Sequence, residues 1–101
     1  MPTVAIAFSY TTDPLVVAAL KEFHVFAVDP TTHARQSTTP IVVAKTAIPS
    51  ISSPLVVTMN GYGSQVVEVV PVDLQGNEGA TTYAPVHVNL PPVSSVAQVT
   101  A

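Results

Sequence analysis

The sequence predicts an all-β domain, and three observations carry that expectation. The chain holds 19 valines and 12 threonines among its 101 residues, and β-branched side chains suit a pleated surface better than a helix. Ten prolines and only four glycines interrupt any long helical pattern. Short runs in which apolar and polar residues alternate are separated by turn residues, which is the period of half-buried strands.

In chain order, residues 3–10 form the first expected strand, because Val4, Ile6 and Phe8 alternate with Thr3, Ala5, Ala7 and Ser9. Thr11-Thr12-Asp13-Pro14 ends it. Residues 15–20, LVVAAL, fit one helical turn or a short strand equally well at this length, and are taken as a connection. Residues 22–28 read as a strand with Phe23, Val25 and Ala27 on one side and His24, Phe26 and Val28 on the other. Asp29-Pro30-Thr31-Thr32 starts a turn, and residues 33–39 are polar and expected to be an exposed loop.

Residues 40–47 follow as a strand that begins with proline, where no backbone donor is needed. A Ser-rich bend spans 49–54, residues 55–59 form the next strand, and Asn60-Gly61-Tyr62-Gly63 turns the chain. The rest is organised around residues 65–90, two strands joined through Gly76-Asn77-Glu78-Gly79, a cluster whose glycines and Asn tolerate positive φ. Before the turn, Val67, Val69 and Pro71 face away from Val66, Glu68, Val70 and Val72, so both faces are apolar. After it, Val86, Val88 and Leu90 share one face while His87 and Asn89 share the other. The expected division is one β domain over 1–90 and an extended tail, PPVSSVAQVTA, over 91–101.

The segment VVEVVPVDLQGNEG followed by TTYAPVHVNL resembles the last two strands of a fibronectin type III domain. The resemblance covers most of the chain and implies a two-sheet antiparallel sandwich, fibronectin type III/immunoglobulin-like, over 1–90, with strand B at 3–10, C at 22–28, C′ at 40–47, E at 55–59, and the F–G hairpin. Phe8 stands where the family usually has a tryptophan, Gln65 stands where a tyrosine opens strand F, and no strand A is evident. These departures widen the resemblance to immunoglobulin-like sandwiches in general.

Charge excludes several functions. Six acids face three cations, Lys21, Arg35 and Lys45, for a net charge of −3, too few and too scattered to neutralise phosphates, so nucleic acid is not an expected ligand. The chain has no cysteine, which removes disulfides and thiolate metal sites. No apolar run is long enough to span a bilayer, so no membrane partner is expected. The first ten residues lack the basic and apolar regions of a secretory signal, which predicts synthesis in the cytoplasm of the producing cell. The carboxylates fall mostly in or beside turns, and neither a G-x-S-x-G elbow nor a phosphate-cradling glycine loop occurs. An enzyme, a cofactor and a small-molecule substrate are therefore not expected.

One constellation suggests metal chemistry. With strands ordered C-F-G, His24, Glu68 and His87 would share the outer sheet face, the donor set of a zinc site. Strands C and G lie about 10 Å apart across F, too far for ligands of one ion, so a polar stripe is expected instead. Beside it Phe26, Val28, Val66, Val70 and Val72 would project outward as an apolar patch, the usual mark of a contact surface. Burying each is worth about 1.5–3 kcal/mol, and five would approach about 10 kcal/mol before association costs. The alternative is that the 15–20 connection or the tail covers them within one chain. The tail is either a disordered terminus or an arm whose Val93, Val96 and Val99 add to a neighbour's sheet edge.

The expected function is thus a non-catalytic structural module docking through a sheet face, its partners being further copies of itself and a larger shell or tube protein. Small Val-, Thr- and Pro-rich sandwiches of this kind resemble accessory proteins of tailed bacteriophage particles, either capsid decoration or tail and fibre proteins, which implies location in a virion. The alternative is a fibronectin-type spacer or adhesion module of a larger secreted, carbohydrate-active protein, extracellular, with loops 29–39 and 74–82 as binding tips.

Overall fold

A computed structural model describes residues 1–100. Six strands and one short helix run in the order β1 (Thr3–Ile6), α1 (Pro14–Ala19), β2 (Leu20–Val28), β3 (Ile41–Ala44), β4 (Leu55–Thr58), β5 (Gly63–Asp73) and β6 (Thr82–Val88). They form two antiparallel sheets, one of two strands ordered β1-β4 and one of four ordered β3-β2-β5-β6. The all-β expectation and the β5–β6 hairpin are observed.

Alternation along the strands builds the core between the sheets. Phe23 and Val25 of β2, Val43 of β3, Val57 of β4, Val67 of β5 and Val88 of β6 are buried together with Leu20 and Met59. Val4 and Ile6 of β1 pack against them from the smaller sheet. Phe8 and Tyr10 present ring edges to Phe23 at centroid distances of 5.1 and 5.0 Å, a geometry worth about 0.5–1.5 kcal/mol per pair beyond burial.

Most elements differ from their expected extent: β2 begins at Leu20 and β5 at Gly63, each two residues early, and β6 ends at Val88, which leaves Leu90 exposed instead of on the face it was expected to share with Val86 and Val88. β1 stops at Ile6, opposite Leu55, because the partner strand begins there; Pro54 has no N–H to continue the ladder. β3 is likewise confined to Ile41–Ala44, the stretch that pairs with residues 22–25 of β2. Residues 14–19 form a helix. Asp13 caps it by accepting the Leu15 N–H at 3.0 Å, and Pro14 occupies the first turn, where its missing donor costs nothing. Lys45 Nζ closes the other end by donating to the Val17 carbonyl at 2.9 Å.

The β5–β6 connection is tighter than the glycine cluster alone suggests. Asp73 accepts the Gly76 N–H on its carbonyl, and its side chain accepts those of Gln75 and Asn77. Gly76 takes φ +86°, a conformation that favours glycine. Beyond Val88 the chain leaves the sheets, and all residues from 89 to 100 are exposed. The radius of gyration is 17.3 Å and the long axis 70 Å, against about 13 Å for a compact chain of this length.

Candidate functional site

The outer face of the larger sheet carries most of the polar chemistry. The register sets its rows: Glu22 opposite Val72, His24 opposite Val70, Phe26 opposite Glu68 and then Tyr83, Val28 opposite Val66 and then Pro85, and Ser64 opposite His87. His87 is therefore four residues along β5 from Glu68, about 13 Å at strand rise. The row of His24, Glu68 and His87 does not exist. Among the described residues no group of three or more His, Asp or Glu is placed to hold a metal ion.

The open apolar patch expected on this face is also corrected. Phe26, Val28 and Val70 form a second buried cluster with half-buried Val66 against it, and Val72 and Glu68 are buried too. What lies over Phe26 and Val28 is neither the 15–20 connection nor the tail but the loop at 29–35, expected to be an exposed turn and loop, while Glu78 lies beside Val72. Asp29 accepts the N–H groups of Thr31 and Thr32 on its side chain at 2.8 and 2.9 Å and that of His33 on its carbonyl. The first two bonds, Thr32's first, hold the Asp29 carboxyl below its ordinary range. His33 then takes φ 61°, the left-handed region, which reverses the chain so that Arg35 pairs back beside Val28.

From that position Arg35 closes the face. Its guanidinium lies 3.9 Å from the centre of the Phe26 ring, its Nε donates to Glu68 Oε1 at 2.7 Å, and a terminal nitrogen donates to Glu78 Oε1 at 2.9 Å. Those two bonds raise the Arg35 pKa further, and the same contact lowers that of Glu78. Glu78 reaches the site because it pairs beside Val72 after the turn. Meanwhile His33 extends across to β6 and stacks on Tyr83, ring centroids 4.1 Å apart. Glu22 and His24, 2.5 Å apart, flank the cluster. Both glutamates beside Arg35 are engaged by a cation, so the arrangement serves as a clasp.

With the sheet face closed, the open apolar surface lies elsewhere. Val93, Val96 and Val99 are 78–90% exposed, and Leu90 is 76% exposed. A second opening lies between the 6–10 segment and β6, an apolar cleft of about 350 Å³ lined by residues that include Phe8, Tyr10, Val69, Thr82 and Ala84. Among the described residues no helix is long and apolar enough to cross a membrane. Comparison with protein-family models, curated proteins and solved structures gives no match.

Proposed function

We propose that this chain is a non-catalytic assembly module, a rigid sandwich that joins other protein subunits through its C-terminal arm. The observation that carries the reading is the unbroken exposure from residue 89 to residue 100, with four large apolar side chains among them. An uncharged segment with regularly spaced apolar side chains, held clear of its own core, is the form in which extended peptides bind a partner's groove or sheet edge. The clasped outer face supplies rigidity in this account, and it replaces the face-docking route expected from the sequence.

The strand order β3-β2-β5-β6 over β1-β4 supports the fibronectin type III-like arrangement C′-C-F-G over B-E that the resemblance implies. A multi-copy accessory role in a particle such as a tailed-phage virion, on the capsid or the tail, fits a small module of this kind, with the fold itself leaving function open. Light scattering of the chain from low to high micromolar concentration tests the reading. It requires a mass that rises with concentration, alone or with a shell or tube protein, and a strict monomer that binds neither overturns it.

A further inference from the structure

We infer that the arm of one copy seats in the cleft between the 6–10 segment and β6 of another copy, an inference that rests on the assembly role just proposed. The cleft exists because the sheets are unequal: two strands oppose four, and the free edge of β1 carries no partner. The inner side of β6 is consequently roofed at one end only. Val88 is buried, Val86 and Ala84 are half-buried, and Thr82 is exposed. Phe8 and Tyr10 wall the opposite side, held there by their edge contacts with Phe23.

Arm and cleft match in chemistry and in spacing. None of the residues lining the cleft carries a charge, and none of residues 89–101 does, so neither surface desolvates an ion when they meet. Leu90, Val93, Val96 and Val99 recur every third residue, and Pro91-Pro92 favours the polyproline II form, in which about three residues make a turn. In that form all four side chains lie along one ridge. Neighbouring valines are then about 9 Å apart, and the 6–10 wall, about 13 Å long at strand rise, takes two of them. Aromatic-walled grooves are the usual receptors for such a ridge.

The occupant is a second copy because the arm leaves β6 at Val88, the end remote from Thr82, and two consecutive prolines carry it onward in an extended path rather than back along its own strand. Addition to the outer edge of β6 is blocked by Pro85, which has no N–H to offer. Arm and cleft are different surfaces, so one copy's arm in the next copy's cleft is a heterologous contact that propagates into rings or filaments, or closes if two copies exchange arms.

The absence of cysteine allows a direct test with the full chain. Val96→Cys chains are mixed under mild oxidation with mass-tagged Thr82→Cys chains, and in a parallel reaction with Thr31→Cys chains, whose thiol sits on the loop over the outer face. The inference predicts that the Val96–Thr82 cross-link forms several-fold faster than the Val96–Thr31 one. Equal rates, with association intact, overturn the seat while leaving the assembly role standing. A chain carrying both Val96→Cys and Thr82→Cys that closes on itself regardless of dilution overturns the second copy as occupant. A chain that shows no association of any kind overturns both.

Discussion

The guanidinium of Arg35 lies 3.9 Å above the Phe26 ring, and this pair converts an outer sheet face rich in valine into interior. The cation is fixed by Glu68 beneath and Glu78 beside it, so packing, the cation–π contact and the ion pairs depend on one side chain. Glu68 is only 3% exposed, and its charge is tolerable there because Arg35 is present.

Arg35→Ala therefore strands a buried carboxylate and uncovers Phe26. The expected loss is about 2–3 kcal/mol, below the about 3–5 of a fully buried pair, since a third of the Arg35 side chain remains exposed. Urea denaturation measures it. Replacing Arg35 and Glu68 together by Met restores most of the stability, because neither charge is then left unpaired.

Acid weakens the clasp in a defined direction. The Arg35 hydrogen bond holds Glu78 below its ordinary value of 4.5, so the folded state binds the Glu78 proton less readily than the unfolded chain does. The stabilisation is fully present above 4.5 and is lost as pH falls through the depressed folded value. Glu78 is 41% exposed, which keeps the contribution under about 1 kcal/mol. Urea midpoints followed from neutral pH into acid show the decline, and Glu78→Gln flattens part of it while the Asp29 portion, of the same sign, persists.

Asp13→Ala removes the acceptor for the Leu15 N–H at the start of α1. Such caps are worth about 1 kcal/mol, and a helix of six residues has no length to compensate. A lowered urea midpoint with an unchanged m-value is the expected outcome.

Phe23→Ala tests the inner core. Phe23 is buried and meets both Phe8 and Tyr10, so about 3–5 kcal/mol is expected to be lost, a large share of the stability of a domain this size. Leu15→Ala, at a side chain left in water, changes stability by less than about 0.5 kcal/mol.

The parts of the fold legible in the sequence were those governed by near neighbours. Alternation from Phe23 to Val28 and from Val67 to Val88 identified β2, β5 and β6 of the larger sheet, and the glycine-rich cluster identified its hairpin. Asp13-Pro14 is also a local signal, a cap followed by a first-turn proline, although the same pair serves equally well to end a strand. The closure of the outer face was not legible, because Arg35 meets Glu68 and Glu78 at separations of 33 and 43 residues, and periodicity sees one face of one strand at a time. A lone cation in a polar loop beside an isolated glutamate in an apolar strand was the trace it left. The valines of the tail could be read from the sequence; that they remain uncovered could not.

The arm is the centre of the account, and sedimentation equilibrium of the intact chain beside the Val93→Asp, Val96→Asp, Val99→Asp variant tests it most directly. Those side chains support no core contact, so at a concentration low enough to keep the intact chain monomeric both proteins should unfold at the same urea midpoint. The account predicts that the intact chain associates increasingly with concentration while the variant stays monomeric. An intact chain that neither associates with itself nor binds a shell or tube protein, or a variant that associates equally, contradicts it.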